Sequence, residues 1–336
     1  MKNKKTTTSY LINFAAIAVL YAALKLLIVF GVIDRYYSGV LLIICTNIVL
    51  AVSLNVVTGF LGQIALGHAG FMSIGAYSAA LFSLGLPNLP AVPRFLAALL
   101  VGGVMAAVFG LLVGIPALRL KGDYLAIITL GFGEIIRVII ENMSVTGGAQ
   151  GLRGIPNLAS FDLVFWVTVI TVAVIFTFIH SRHGRAITAI REDDIASSAA
   201  GINNTYYKVM AFVVGAFFAG IAGGIYAHNL TVLSAKTFSF NYSIEILVIV
   251  VLGGMGSLTG SVFAAIGLTV LTEFLREFSD YRLLIYAIVL IVLMIFKPSG
   301  LFGRYEFSLT RALHRLTGHE PRPGRQRKSP KKEAES

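Results

Sequence analysis

What most limits this chain is the length of its uncharged runs. Several stretches reach about 18 residues or more with few charges, and VLLIICTNIVLAVSLNV (40–56) is one of them. A helix needs about 20 apolar residues to cross the ~30 Å hydrocarbon core of a bilayer. Strands of a membrane barrel would alternate apolar and polar residues with period two. The run at 40–56 does not alternate, so helices are expected. Composition agrees: 57% of residues are hydrophobic, 13% are charged and the mean hydropathy is +0.83. Soluble domains carry about 25% charged residues. The reading is an all-α integral membrane protein.

Ten apolar segments follow, at about 10–31, 37–58, 63–84, 94–116, 123–141, 162–180, 208–228, 242–256, 260–278 and 282–297. Some are expected to be re-entrant or broken. The third and eighth are the best candidates, because GQIALGHAGFMSIGAY (62–77) and VLGGMGSLTGS (251–261) are rich in glycine. Irregular backbone at membrane depth is tolerated only where it is buried in protein or lines a cavity. The first segment is too long for a signal peptide and lacks a clear small-residue cleavage site, so it reads as a retained span.

With ten spans both termini lie on one side, and that side collects 19 of the 27 Lys and Arg residues. Cytoplasmic loops carry the excess of Lys and Arg. Both termini, and the charged stretch at 184–202, are therefore expected in the cytoplasm. Ten of those basic residues lie from Lys297 onward. They suit a membrane-facing tail better than a nucleic-acid interface, since no recognition motif accompanies them.

Much chemistry is excluded. Cys45 is the only cysteine, so neither an intrachain disulfide nor a thiolate metal site can form. The six histidines show no helical i,i+4 pair. The dipeptide Gly-Lys never occurs, which removes a phosphate-binding loop of the GxxxxGK[ST] type, and neither HExxH nor GxSxG is present. No metal or cofactor is expected.

Ionisable residues inside spans invite a functional reading. Glu134, Arg137 and Glu141 fall on one helical face, where Arg137 can pair with either acid; they form either a neutralised structural cluster or a polar lining. Glu273, Arg276 and Glu277 make a similar group near an outer end, and Glu245 stands near the start of a segment. His68 lies in a glycine-rich apolar run and cannot make a metal site alone. Small residues recur at four-residue spacing, as in Ala216, Gly220 and Gly224, and allow close helix approach.

The stretch GRAITAIREDDIASSAAGI (184–202) divides into two short amphipathic helices. Ala186, Ile187, Ala189 and Ile190 stripe the first; Ile195, Ala196, Ala199 and Ala200 stripe the second. Asp193 or Asp194 can cap the second helix and Gly201 can follow it. Helices this short need a surface to pack on. On spacing alone, a solvated connector and a docking element for a protein partner both remain open.

The ordered set of motifs resembles the permease subunits of ATP-binding-cassette importers for branched-chain amino acids, of the LivM type, over roughly residues 37–303. Besides the stretches quoted above, it includes GDYLAIITLGFGEIIR (122–137), TGGAQGLRGIP (146–156), KVMAFVVGAFFAGIAGGIYA (208–227) and KPSGLFG (297–303). Ala65, Ser198 and Ser261 depart from the pattern. The resemblance implies a bacterial inner-membrane protein with several partners. These are a second, LivH-like permease, two ABC ATPases and a periplasmic or lipid-anchored substrate-binding protein. It also implies that the loop at about 181–207 couples to the ATPases, with Gly184, Arg185, Arg191, Asp193, Ala196 and Gly201 matching the family there.

The expected layout is a permease domain over 1–303 and a basic cytoplasmic tail over 304–336. Residues expected to flank a translocation pathway are Gln63, Gly67, His68, Glu134, Gly253, Gly254 and Gly256. Leucine, isoleucine and valine are the implied cargo. Permeases for urea or short-chain amides share the resemblance, and an ion-coupled amino acid carrier is the reading from a different class.

Overall fold

The computed structural model describes residues 2–118, 120, 122–276, 284–285, 288, 291, 295–296, 300–301 and 303. The helices are α1 (Lys2–Val29), α2 (Arg35–Asn55), α3 (His68–Gly85), α4 (Ala91–Ala117), α5 (Asp123–Asn142) and α6 (Phe161–His180). They continue with α7 (Arg182–Glu192), α8 (Asp194–Ala199), α9 (Asn204–Leu230), α10 (Phe240–Gly253) and α11 (Leu258–Phe274). A π-helical turn, Val56–Phe60, extends α2. Among the described residues no β-strand forms; an isolated antiparallel bridge joins Leu152 and Leu233. The described residues fall into two compact units, one holding residues 2–27 of α1 and the other the described residues from 28 to 303.

Among the described residues, four helical stretches are long and apolar enough to cross a membrane: Arg35–Phe60, Ala91–Ala117, Phe161–His180 and Asn204–Leu230. The interior of the second unit is built around α9, which packs on α4, α3 and α2. Residue choice inverts that of a soluble protein. On α4 the buried positions include Gly102, Gly103, Ala106, Gly110 and Gly114, while Leu100 and Leu112 are 58% and 62% exposed. Lipid tails solvate a leucine as well as another helix does, so association relies on close packing of small residues. A Cβ added to Gly75 of α3 would sit inside the Gly220 backbone of α9, and one on Gly102 would lie 2.6 Å from the Gly75 carbonyl oxygen. The small-residue stripe of α9 is thus consumed inside this subunit.

The third and eighth segments are interrupted, as the glycines suggest. Helix α3 begins at His68 rather than near residue 63; the backbone before it leaves the helical path, and the Leu66 N–H is held by Thr129 Oγ1 at 3.0 Å. Helix α10 stops at Gly253 because Gly254 and Gly256 take φ of +111° and +92°, and Ser257 then caps α11. At 14 and 17 residues, α10 and α11 rise about 21 and 26 Å, short of a bilayer core. They form a hairpin packed on α2. The first helix starts at Lys2, earlier than the segment read at about 10. The last segment lies mostly outside the described residues, as do Glu277 and the tail at 304–336.

The connections sort into two ends. One carries the π-helical turn, the charged loop of α7 and α8, and the turn between α10 and α11. The other carries the Leu152–Leu233 bridge, whose two N–H···O bonds are 2.9 Å, and the Tyr36 hydroxyl bonded to Glu273.

Candidate functional site

The charged stretch folds as two helices, one with its apolar stripe turned inward and the other with its stripe turned outward. In α7, Ser181 accepts from Gly184 N–H at 3.4 Å, and the Ile187 and Ile190 side chains turn into the core. Gly184 is required by proximity, since a Cβ there would enter the Ile179 backbone. Arg185 reaches back to the His180 carbonyl at 3.1 Å. Asp193 is the cap of α8: its Oδ1 accepts from Ile195 N–H at 2.8 Å and Ala196 N–H at 2.9 Å. The end of α8 closes with Ile202 N–H on the Ser197 carbonyl and Gly201 N–H on the Ser198 carbonyl, with Gly201 at φ +84°. Lys208 holds Asp194 at 3.0 Å, and Asn204 donates to the Asp194 carbonyl at 2.6 Å. The cap and its ties fix α8 rigidly. Yet its apolar stripe faces outward: Ile195 is 81% exposed, and Ala196, Ala199 and Ala200 are exposed beside it.

Arg191 ends α7 and reaches inward. Its guanidinium Nη1 donates to the Gly59 carbonyl of the π-helical turn. The same nitrogen lies 2.9 Å from where a Cβ on Gly256 would stand, and Arg191 Cγ lies 2.8 Å from one on Gly62. One side chain therefore passes between two glycine-bearing turns, and both need glycine to admit it.

Behind Arg191 stands Asn55, fully buried. Its Oδ1 accepts from Gly256 N–H at 2.9 Å; its Nδ2 donates to the Ser257 carbonyl at 2.9 Å and to Ser261 Oγ at 2.7 Å. The amide thus clamps the α10–α11 turn onto the end of α2. Gly253 packs against Gly260 across the hairpin, and Gly254 carries Gly300 on its outer side, where Leu301 N–H bonds the Leu252 carbonyl at 2.8 Å.

The other residues read as pathway-flanking lie apart. Gly67 packs against the Thr129 backbone of α5. His68 is buried between α2 and α3, with Nε2 2.9 Å from Ser53 Oγ. Ser53 Oγ also lies 2.9 Å from the Leu50 carbonyl oxygen, so the three groups form one buried hydrogen-bonded cluster. Gln63 is half-buried, and its Oε1 has no hydrogen-bond partner among the described residues. Glu134 pairs with Arg137 at 2.7 Å and also accepts from Phe240 N–H at 3.0 Å, so it receives the first turn of α10. Arg137 bonds Glu141 at 2.7 Å as well. The glycine turn and Arg191 share one end, whereas Glu134 sits near the opposite one. Among the described residues no group of three or more His, Cys, Asp and Glu is placed to hold a metal ion.

A family described as "Branched-chain amino acid transport system / permease component" matches residues 36–296. The chain belongs to this family. It is 38% identical over 291 residues to the high-affinity branched-chain amino acid transport system permease protein LivM of Escherichia coli, covering 76% of this chain and 67% of that protein. It is 28% identical over 286 residues to the permease protein BraD of Pseudomonas aeruginosa, covering 78% and 92%. To the permease protein LivH of Salmonella typhimurium it is 25% identical over 303 residues, covering 82% and 96%. No solved structure matches it.

Sequence reading missed two amides of the permease, Asn55, which is buried, and Asn47, which is half-buried. Asn47 and Asn55 stand in the uncharged run of α2, eight residues apart, and polar side chains at such depth are costly unless bonded. That signal was available. The partners were not: Asn55 bonds residues about 200 positions later.

Proposed function

We propose that this chain is one of two membrane-spanning subunits of an ATP-driven importer for leucine, isoleucine and valine. A LivH-like permease is its partner in the membrane. Two ATPases dock on the loop at about 181–207, and a binding protein delivers substrate at the opposite end. The family match and the relatives' names support the cargo and the class. The excess of Lys and Arg on the side of that loop supports a cytoplasmic location, in the inner membrane of a bacterium.

One observation carries the coupling reading. The loop's apolar face, Ile195 with Ala196, Ala199 and Ala200, is capped, rigid and exposed outside the spans, while Arg191 ties the same loop to Gly59. A partner that moves α8 moves α7, and through Arg191 displaces both glycine turns. The helices then switch between packings as bodies. Gly184, Arg185 and Gly201 shape the loop; Asp193 and Ala196 present its outer face. Gly253, Gly254 and Gly256 form the element it moves, beside the irregular backbone from Gln63 to Gly67.

The test is co-purification of the tagged protein from its native membrane, followed by reconstitution with the subunits recovered. Recovery of a second permease and ATPases is expected, with leucine uptake that requires ATP. Arg191→Ala is expected to leave the complex assembled but uncouple hydrolysis from uptake; Ile195→Asp is expected to release the ATPases. Recovery of the chain alone, with uptake abolished by an uncoupler while ATP is held constant, would overturn the proposal.

A further inference from the structure

At the end opposite Arg191 a cleft of about 420 Å³ opens between α2, α10 and α11, touching α9 at Tyr226. Its size falls in the range of small-molecule sites, roughly 300–1,000 Å³. Each helix turns one stripe into it. Helix α2 contributes Val40, Ile43 and Asn47 at helical spacing, and α10 contributes Glu245 and Ile249. Helix α11 contributes Leu268, Thr269 and Thr272, and Arg276 follows just beyond its end.

The lining is ordered from mouth to depth. At the mouth the Arg276 side chain, 67% exposed, bonds the Tyr36 hydroxyl through Nη1 and stands 3.8 Å from Glu273. Deeper, Asn47 fixes the back wall: Nδ2 donates to Thr269 Oγ1 at 2.9 Å, and Oδ1 accepts from the Tyr242 hydroxyl at 3.4 Å. Glu245 belongs to the same wall, five residues and about 7 Å along α10 from Phe240. The cleft therefore holds a cation at its entrance, a carboxylate further in, and aliphatic surface from Ile43, Ile249 and Leu268 between the helices. Ionisable side chains within apolar helices are functional-site candidates by default, and Glu245 is half-buried on this wall.

We propose that this cleft is a transit site for an aliphatic amino-acid zwitterion, with Arg276 receiving its carboxylate, Glu245 its ammonium, and Ile43, Ile249 and Leu268 its side chain. The inference rests on the importer reading and adds the site on this subunit through which cargo passes. Arg276 suits transient capture. Its 3.8 Å contact with Glu273 is longer than a charge-assisted hydrogen bond, and its side chain is 67% exposed, so an incoming carboxylate can reach the guanidinium while Glu273 keeps the bond from the Tyr36 hydroxyl. None of the glycine turns lines the cleft; they lie at its base, where Asn55 and Arg191 hold the hairpin that forms one wall.

The chain's single cysteine permits a direct test. Cys45→Ser removes it, and Thr272→Cys then places one thiol in the cleft. In the purified complex, without binding protein, an aqueous cationic thiol reagent should label that thiol. Leucine should slow labelling, and 4-methylpentanoate, which keeps the side chain and carboxylate but lacks the ammonium, should not. In proteoliposomes Glu245→Gln should lower ATP-dependent leucine uptake roughly tenfold or more, and Ile249→Trp should do so by filling the cleft, with subunit recovery unchanged. Uptake at the wild-type rate in both variants would overturn the transit site. So would labelling that leucine does not slow, that both ligands slow equally, or that does not occur at all. Failure of the importer reading looks different: the unaltered complex would then show no ATP-dependent uptake, whatever the labelling.

Discussion

The two halves of the helical unit are held together by different means. Helices α3, α4 and α9 meet backbone to backbone, through Gly75, Gly102, Gly220 and Gly223, with no room for a methyl group. Helices α10 and α11 touch at Gly253 and Gly260, but they join α2 through side-chain hydrogen bonds from Asn47 and Asn55 and enclose a cleft with it. Close backbone contact is short-ranged and has one good arrangement. Hydrogen bonds from a long side chain can exchange partners as helices slide. The first half is built as a fixed body and the second as the part that can rearrange, and Arg191 enters the second half, not the first.

The largest expected effect comes from forcing the fixed body apart. Gly75→Leu should prevent folding, because the obstacle is the Gly220 backbone, which cannot yield as a side chain can. Overpacking ordinary cores costs about 1–3 kcal/mol, and backbone obstruction exceeds that. The measurement is recovery of monodisperse protein in detergent. Gly131→Ala and Gly267→Ala are the controls. A Cβ at either meets nothing within 4 Å, so both should fold normally and gain up to about 1 kcal/mol from helix propensity. Equal behaviour of all three variants would erase the distinction between the halves.

Next is Asn55→Leu. It leaves the Gly256 N–H, the Ser257 carbonyl and the Ser261 hydroxyl without this partner, at about 1–3 kcal/mol for each group left unsatisfied. The protein should still fold, with a lowered thermal midpoint, and transport should fall further than stability does. A midpoint drop no larger than that of Asn47→Ala would mean that the base of the hairpin is not its main tie.

These two halves were unequally legible in the sequence. The four-residue spacing of small residues announces close packing, and the glycines of 251–261 announce a break, because each signal is local. The capping of α8 by Asp193 and the left-handed Gly201 were readable for the same reason. The cleft and the Asn55 clamp were not, because they depend on which helices become neighbours. The direction in which α8 faces was also hidden: stripes on α7 and α8 look alike in sequence, yet Ile187 is buried and Ile195 is exposed. His68, Gly67 and Glu134 look equally unusual in a hydrophobic run, and only the fold shows that their partners are Ser53, the Thr129 backbone and Arg137 with Phe240.

Glu134 gives an intermediate case. Glu134→Ala removes the acceptor for Phe240 N–H and one of two partners of Arg137, so a loss of about 1–2 kcal/mol in thermal stability is expected. Glu134→Gln keeps an acceptor for Phe240, and Arg137 keeps Glu141, so it should recover most of that loss. If Gln were as damaging as Ala, the charge itself would matter and the residue would belong with the polar path rather than with the frame.

The smallest effect on stability is expected at the mouth of the cleft. Glu273 meets Arg276 at 3.8 Å with Arg276 two-thirds exposed, and exposed pairs contribute about 0–1 kcal/mol. Glu273→Gln should therefore leave the thermal midpoint nearly unmoved, in contrast to Asn55→Leu at the other end of the same hairpin. The asymmetry has a mechanical meaning. Helix α11, clamped at its base by Asn55 and tied weakly near its far end at Glu273, pivots at the base, and the base is where Arg191 delivers motion from the charged loop. A small push there becomes a larger displacement at the mouth, where cargo enters. A midpoint change in Glu273→Gln as large as that in Asn55→Leu would show a hairpin pinned at both ends, and motion from Arg191 would then have to leave the cleft by another route.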